Sequence, residues 1–193
     1  MQASQNTNRS ASTRALVEGA IMVALGTLLS MIKIDMPMGG GVTLCAMLPL
    51  VVMSWRHGIK WGTFTAFVFS VLQMLLGLDN VRYATSALMA AAIILFDYIV
   101  AYTVIGLAGA FKGKLKNAKL ELVAGVSLTL FARFLCHFIT GWFIWDALWP
   151  NGTYIAPVYS LLYNGSYMLP ELIITSVVAL LLLKYMDYGM ERK

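Results

Sequence analysis

The stretch FARFLCHFITGWFIW, residues 131–145, decides the class of fold. Most of its side chains are apolar, as they must be in a helix that crosses the hydrocarbon core of a membrane. Arg133 and His137 interrupt it, and on a helix they share one face with Gly141 and Trp145, because residues four apart lie above one another. The stretch therefore predicts a transmembrane helix with a polar stripe along one side.

The composition of the whole chain also indicates a membrane protein. Hydrophobic residues make up 60% of the sequence and charged residues 12%, and the mean hydropathy is +0.76, whereas a soluble domain has roughly 25% charged residues. Cys45 and Cys136 lie in apolar runs without CxxC spacing or a histidine cluster, so neither a metal site nor a disulfide is indicated. We predict an all-α integral membrane protein that needs no metal and no cofactor.

Six segments are long and apolar enough to predict transmembrane helices. They lie near residues 15–33, 42–55, 60–78, 85–111, 119–145 and 165–186. The second segment is short and follows MPMGGGVT, where Pro37 and three glycines indicate a loop. We expect one six-helix membrane domain over residues 15–187, flanked by a polar tail at residues 1–14 and a C-terminal tail at residues 188–193.

The lysines and arginines predict how the helices are oriented. Eleven of them fall in the two tails and in the loops on one side of the membrane, against two, Lys33 and Arg82, on the other. Short cytoplasmic loops carry the excess of positive charge, so both termini should be cytoplasmic. The loops around 34–41, 79–84 and 146–164 should then face outward. This asymmetry accounts for the net charge of +5, and nucleic-acid binding is not indicated.

Four ionisable residues deep within the predicted spans are candidates for a functional site, with Glu18 close to the cytoplasmic end of the first span. They are Asp97, Arg133, His137 and Glu171. A single arginine cannot balance two carboxylates, so with a neutral histidine one carboxylate remains and a cationic ligand would complete the charge balance. The alternative is that Arg133 and its carboxylate partner serve structure alone, since buried ions need partners in any case.

Aromatic and polar residues lie near the outer end of the same region. Trp145 is two turns above His137 on the same face, and Tyr159 and Asn164 lie around the predicted junction between the last outward loop and the last helix. Together they suit a flat, cationic heteroaromatic ligand held by stacking, cation–π attraction and directed hydrogen bonds. Alternatively, Trp145 belongs to an interfacial aromatic belt, and Asn164 is a turn or helix cap.

Six stretches, taken in order, resemble one known family. They are AIMVA (20–24), MPMGGGVTL (36–44), SWRHGIKWG (54–62), LFDYIVAYTVIGLAGAF (95–111), CHFITGWFIW (136–145) and VYSLLYNG (158–165). Over about residues 10 to 190 the chain resembles the thiamine-specific substrate-binding subunit, or S component, of energy-coupling factor vitamin transporters. No single stretch is specific, but their order and spacing are.

The resemblance implies a multi-pass protein of a bacterial cell membrane that captures thiamine from outside with high affinity. It also implies a transport subunit rather than an enzyme. Members of this family dock on a module of one transmembrane coupling protein and two ATPases, which hydrolyse the ATP. The family's small-xxx-small docking motif falls on Ala20 and Ala24 of the first helix, where small side chains let two helices approach closely in lipid.

The resemblance also implies which residues bind the ligand. By position, the family's ligand residues fall on Asp97, Tyr98, His137, Trp145, Tyr159 and Asn164. Some members have glutamate in place of Asp97, and some have a tryptophan in the first outward loop, where this chain has three glycines, 39–41. Tyr83 in the second outward loop is the predicted substitute for that missing wall.

Three other functions stay open at the level of sequence. The same architecture could bind a thiamine precursor or another flat heterocyclic vitamin. A membrane-embedded enzyme could use His137 and Asp97 as an acid–base pair, but the chain has no HExxH, GxSxG or Walker motif. A self-sufficient secondary transporter is disfavoured, because we find no inverted halves or pairs of broken helices.

Overall fold

The chain folds into a bundle of long helices with a small β-hairpin at one end. The computed structural model describes residues 2–186, with side chains from residue 10 onward. In chain order the elements are α1 (Gln2–Met31), β1 (Lys33–Asp35), β2 (Gly41–Thr43), α2 (Leu48–Leu76), α3 (Leu78–Val81), α4 (Ala87–Phe111), α5 (Ala118–Leu148) and α6 (Ala156–Met186). The predicted C-terminal tail, residues 188–193, lies outside the described residues.

Five helices in the described part of the chain are long and apolar enough to cross a membrane: Ser10–Met31 of α1, and the whole of α2, α4, α5 and α6. Large apolar side chains point away from the bundle, among them Leu28, Phe131 and Leu181, which are 62%, 56% and 71% exposed. An apolar outer surface of this kind is expected where lipid is the solvent. The bounds of α4 and α5 agree with the predicted fourth and fifth spans to within three residues.

The predicted second and third spans correspond to two helical arms, together labelled α2, that meet at Gly58, where the chain reverses direction. This glycine has φ +82° and ψ 172°, a conformation closed to other residues. A Cβ placed on Gly62 would lie 2.6 Å from the Cα of Ser54, so the arms 48–57 and 59–76 run back alongside each other. The first arm has only ten residues, about 15 Å at 1.5 Å per residue, which is short of the roughly 30 Å hydrocarbon thickness.

The last helix begins nine residues before the predicted start of the sixth span. The prediction that residues 156–164 belong to an outward loop was wrong, because α6 starts at Ala156. Pro157 suits the first helical turn, where no N–H partner is needed. The polar side chains that follow, including Tyr159 and Asn164, made this stretch look like a loop. They are compatible with a membrane helix because they face protein rather than lipid.

The loop at residues 34–41, which was predicted to face outward, is part of an antiparallel β-hairpin that the all-α prediction did not include. Its register pairs Lys33 with Thr43, Ile34 with Val42 and Asp35 with Gly41. The tip is glycine-rich because it lies against tyrosines of α6. A Cβ on Gly39 would come within 2.7 Å of Tyr163, and one on Gly40 within 2.6 Å of Tyr167.

Glycines also let α2, α4 and α5 cross at backbone contact. A Cβ on Gly106 would lie 2.4 Å from the Cα of Thr63, and a Cβ on Gly125 only 1.8 Å from the carbonyl oxygen of Ala108. Ser54 links α2 to α4 at this crossing, because its hydroxyl donates to the Gly106 carbonyl at 2.5 Å and accepts from the Gly109 amide at 2.8 Å. The crossing fixes the three helices relative to one another.

Candidate functional site

A cavity of about 560 Å³ opens at the end of the bundle that carries the β-hairpin, the α2–α4 connection and the α5–α6 loop. Its size is within the range of small-molecule binding sites. The lining residues are Gln73, Leu76, Gly77, Asn80, Asp97, Tyr98, Tyr102, His137, Thr140, Gly141, Trp145, Asp146, Trp149, Tyr159, Ser160, Tyr163, Asn164 and Tyr167. Six of the seven sequence-predicted ligand residues are therefore in one cavity, and Tyr83 is not.

Asp97 is the centre of the polar wall. Its side chain is buried, and α5 surrounds it with three groups. The Trp145 indole N–H donates to Oδ2 at 2.9 Å, the Thr140 hydroxyl donates to Oδ1, and His137 Nδ1 lies 3.4 Å from Oδ1. Within the described residues no lysine or arginine forms an ion pair with Asp97, so this carboxylate matches the unbalanced negative charge that the sequence predicts.

Two irregular helical stretches bring these groups together. Residues Ile93–Val100 of α4 and Gly141–Trp145 of α5 have the wider turns of a π-helix. A π-turn inserts an extra residue per turn and re-aims the side chains around it, and such turns are frequent at functional sites. Asp97 lies in the first stretch and Trp145 in the second. Nothing in the hydrophobic periodicity of the sequence predicted either turn.

His137 lines the cavity, with one ring nitrogen directed toward Asp97 and the other buried. Nδ1 faces the Asp97 carboxylate, and a histidine is oriented by the hydrogen bond that one of its nitrogens makes. Nε2 is buried and has no hydrogen-bond partner in the described part of the chain. A buried polar atom without a partner is costly, so Nε2 is a group whose hydrogen-bonding need the described residues do not meet.

Asn164 ties α6 to α5 instead of capping a turn. Its amide nitrogen donates to the carbonyls of Ser160, at 3.0 Å, and His137, at 3.2 Å. Its amide oxygen accepts from the Tyr167 hydroxyl at 2.8 Å. The alternative that Asn164 is a helix cap is wrong, because α6 begins eight residues earlier. Tyr159 lies one turn closer to the cavity mouth, 6.0 Å from the ring of Tyr163.

Tyr98 lines the cavity, but its hydroxyl is engaged elsewhere. It donates to the Gly77 carbonyl at 2.9 Å and accepts from the Asn80 side-chain amide at 2.8 Å, so it holds the end of α2 against α4.

Tyr83 does not reach the cavity, and its ring lies edge-on to Trp149 at 4.7 Å. Trp149 in turn stacks on Trp145 at 5.6 Å with 10° between the ring planes. Trp149, rather than Tyr83, is the aromatic group next to the predicted stacking residue.

The buried arginine meets the other carboxylate. Arg133 Nη1 lies 3.1 Å from Glu171 Oε2, and both side chains are almost fully buried beneath the cavity. Thr43 of the β-hairpin donates to Glu171 Oε1 at 2.5 Å, and the guanidinium lies over the Tyr102 ring at 4.8 Å. Arg133 therefore pairs with Glu171 and not with Asp97, a choice that the sequence left open.

Several lining residues were missed by sequence reasoning. They are Gln73, Asn80, Tyr102, Thr140, Asp146, Trp149, Ser160, Tyr163 and Tyr167. Helical spacing held a signal for some of them, since Tyr163 and Tyr167 continue the face of Tyr159 at intervals of four residues. This spacing could not be used, because residues 156–164 were predicted to form a loop. Gln73 and Asn80 lie on another helix and its connection, and no local pattern links them to the site.

Ala20 and Ala24, the predicted docking pair, lie on an exposed strip of α1 far from this cavity. They border a second, apolar groove of about 420 Å³ between α1 and the second arm of α2. Gly19, Trp61 and Phe64 also line it. Its walls are small residues on one side and aromatic residues on the other.

Comparison with known proteins places the chain in a family. The family described as Thiamine transporter protein (Thia_YuaJ) matches residues 16–190. The chain is 30% identical over 187 residues to the thiamine transporter ThiT of Bacillus subtilis, a match that covers 91% of this chain and 93% of the relative. It is also 30% identical over 149 residues to ThiT of Lacticaseibacillus paracasei, covering 71% of this chain and 70% of the relative.

A solved structure shares the fold. ThiT from Listeria monocytogenes superposes with a TM-score of 0.73 at 24% sequence identity, covering 90% of this chain and 95% of that structure. Both curated relatives bear the name of a transporter, in agreement with the prediction of a transport subunit rather than an enzyme. The match over almost the whole chain confirms the predicted resemblance, and this chain belongs to the thiamine transporter protein family.

Proposed function

We propose that this chain is the thiamine-binding membrane subunit of an energy-coupling factor uptake transporter. The observation that carries the proposal is the pairing of the buried acids. Arg133 neutralises Glu171, and Asp97, in the wall of the cavity, has no lysine or arginine partner among the described residues. A permanent cation such as the thiazolium ring of thiamine would supply the missing charge, and family membership makes thiamine the first candidate.

The cavity walls offer the other contacts that such a ligand needs. Trp145 supplies an aromatic face whose orientation is set by its N–H bond to Asp97. His137 Nε2 and the Tyr159 phenol supply polar contacts for the edge of a pyrimidine ring. We assign Asn164 to holding these walls in register and Tyr98 to an aromatic wall, because their polar groups already have protein partners. Tyr83 supports Trp149 from behind.

The proposal includes the orientation in a bacterial cell membrane. With the two arms of α2 counted separately, the chain would cross or enter the bilayer six times, with both termini cytoplasmic. The cavity would then open outward, since the basic connection at 112–117 lies at the opposite end of α4 and α5. Thiamine would be captured from the external medium without passing through hydrocarbon.

Energy would come from partners. We propose that the apolar groove beside Ala20 and Ala24 receives the transmembrane coupling protein, whose two associated ATPases hydrolyse ATP. Small residues along one wall let a partner helix approach at backbone distance. Docking and ligand binding would use separate surfaces of the molecule, so that variants can affect one without the other.

Ligand binding to the detergent-purified chain tests the proposal. Quenching of tryptophan fluorescence is a suitable signal, because Trp145 and Trp149 line the cavity. Thiamine should quench at low concentration, while riboflavin, biotin and pyridoxine should not. Tight binding of a thiamine precursor with weak binding of thiamine would identify the sibling function instead. Absence of binding by any flat heterocyclic cation would refute the proposed function.

A further inference from the structure

A second carboxylate, Asp146, stands at the mouth of the cavity. It follows Trp145 directly and lines the same space. It is six residues beyond Thr140, whose hydroxyl binds Asp97, so a rise of 1.5 Å per residue puts it on the order of 10 Å further out along α5. A ligand bound at Asp97 would therefore share the cavity with a second acidic side chain, Asp146.

The local structure does not explain an acid at this position. Asp146 lies in the last turn of α5, the negative end of the helix dipole, where an acidic side chain is disfavoured. Its side chain accepts a hydrogen bond from the Asn151 amide nitrogen at 3.2 Å, which ties it to the turn at 151–154, but that donor is neutral and leaves the charge unbalanced. A charge that breaks a local preference in this way is a candidate for a functional role.

The charges around the mouth leave Asp146 without compensation. Two ion pairs are present at this end of the described chain, Lys33 with Asp35 at 3.3 Å and Arg82 with Asp79 at 2.6 Å. None of the described residues that line the cavity is a lysine or arginine. The dipoles of α5, which ends here, and α6, which begins here, oppose each other. Asp97 and Asp146 therefore set the sign of the potential inside the cavity.

We propose that Asp146 is a specificity-determining residue, which makes the cavity select the unphosphorylated cation over phosphate esters of the same heterocycle. The inference rests on the proposed function, since it takes thiamine as the ligand. Phosphate sites in proteins use arginine, lysine or unopposed helix N-termini to balance a charge of about −2. This cavity offers a phosphate group a carboxylate instead.

The physical effect is the difference between attraction and repulsion over about 10 Å. In a partly hydrated mouth, with an effective dielectric constant of about 40, one unit charge changes affinity by roughly fourfold at that distance, and a doubly charged phosphate is affected more strongly in the opposite direction. Because the two affinities shift in opposite directions, both shifts change the ratio of thiamine affinity to monophosphate affinity in the same direction. Loss of the Asp146 charge should therefore alter selectivity much more than it alters thiamine binding itself.

The test is calorimetric affinity of the full chain for thiamine and for thiamine monophosphate. Asp146→Asn should weaken thiamine binding by about two- to fivefold, tighten monophosphate binding, and lower the affinity ratio by about tenfold. Asp146→Glu should keep the ratio of the parent. Added salt should shrink the difference between parent and Asp146→Asn, because the mouth is open to water.

Two matched controls separate charge at the mouth from other causes. Asp35→Asn makes the same charge change on a side chain that is 77% exposed and paired with Lys33 outside the cavity, and it should leave the ratio unchanged. Asn151→Ala removes the hydrogen bond to Asp146 while keeping the carboxylate. If Asn151→Ala alters the ratio as much as Asp146→Asn, Asp146 acts by positioning the loop and the inference is wrong.

The inference and the proposed function fail in different ways. A parent chain that binds no thiamine contradicts the proposed function, whatever Asp146 does. A parent that binds thiamine tightly, with a ratio that Asp146→Asn leaves unchanged, contradicts the inference alone. Equal affinity of the parent for thiamine and its monophosphate also contradicts it, because a selecting charge must produce selection.

Discussion

Asp97 gathers Thr140, His137 and Trp145 of α5 around a single carboxylate. Trp145 and His137 also line the cavity with their rings. Under the proposed function, the negative charge would orient these walls as well as attract a cation. A substitution of Asp97 should therefore change both the binding energy of a cationic ligand and the orientation of His137 and Trp145.

Asp97→Asn is expected to weaken thiamine binding by about 2–5 kcal/mol, the cost of removing one partner of a buried charge pair. The amide nitrogen of the asparagine would also face one of the two groups that donate hydrogen bonds to Asp97, the Thr140 hydroxyl or the Trp145 indole N–H. Asp97→Glu should keep much of the affinity, and Trp145→Phe should cost less than Asp97→Asn because a ring remains for stacking. Calorimetry on the three variants measures this, and parental affinity in Asp97→Asn would remove Asp97 from the site.

Arg133 and Glu171 are predicted to matter as a pair. Glu171→Gln or Arg133→Met alone should lower the thermal unfolding midpoint strongly, since a lone buried charge costs about 3–5 kcal/mol. The double variant should recover most of the loss, because no unpaired charge remains. Thermal unfolding in detergent compares the three proteins. If the losses of the single variants simply add in the double variant, the two residues do not act as a pair.

Six of the seven predicted ligand residues line one cavity, but the sequence did not predict the contacts that they make. Periodicity on α5 put His137 and Trp145 on one face, and charge counting required one spare acid. The choice between Asp97 and Glu171 depended on how α4 and α6 pack on α5, which no local pattern encodes. Tyr83, a predicted wall of the site, does not line the cavity and packs edge-on against Trp149, a contact that no local pattern encodes either.

At the level of elements, glycines decide where helices meet and turn. Gly58 reverses α2, and the glycines of the crossing bring α2, α4 and α5 to backbone contact. Apolar runs predicted α4 and α5 closely because lipid imposes the same length rule on every span. The start of α6 was not predicted, because polar side chains that face a cavity resemble a loop sequence. The π-turns were not predicted either, because one inserted residue does not change the composition of a helix.

Gly125→Ala should destabilise the fold severely, because the added methyl would lie 1.8 Å from the Ala108 carbonyl oxygen and the helices would have to separate. Gly165→Ala is the matched control. It makes the same change inside α6, where no atom lies within 4 Å of the added carbon, and alanine is favoured over glycine in a helix by about 0.5–1 kcal/mol. We expect a large drop in the unfolding midpoint for the first variant and no drop for the second. Similar midpoints would show that the crossing can relax.

At the scale of the whole molecule, the cavity and the apolar groove lie on different parts of the bundle. The cavity is lined mainly by α4, α5 and α6 and the groove by α1 and the second arm of α2; the end of that arm, at Gln73 and Leu76, also reaches the cavity, but the two sites share no lining residue. A transport subunit of the proposed kind needs this separation, because it has to hold its ligand while a partner is docked.

Ala24→Leu is expected to abolish thiamine uptake by cells while leaving ligand affinity nearly unchanged, because the larger side chain keeps a partner helix at a distance. Ala91→Leu is the matched control, since Ala91 is also exposed but lies on α4. Uptake assays and calorimetry on both variants measure the separation. Loss of binding in a folded Ala24→Leu protein would contradict the docking role.

The proposed orientation can be measured by cysteine labelling. A cysteine placed at residue 152 should react with an impermeant thiol reagent on whole cells, and one at residue 115 should not. The native thiols give little background, because Cys45 and Cys136 are buried and burial raises the pKa of the Cys45 thiol. The reverse labelling pattern would turn the cavity toward the cytoplasm.

The depth of Asp97 has an electrical consequence. It lies ten residues from Ala87 and fourteen from Phe111, the two ends of α4, so in the proposed orientation a cation that binds there from outside would have crossed about two fifths of the membrane field. Moving one charge through the full field is worth about 2.3 kcal/mol per 100 mV. An inside-negative potential of that size would therefore strengthen capture of a monovalent cation by about 1 kcal/mol, roughly fivefold, and energised cells would bind the vitamin more tightly than the purified protein does.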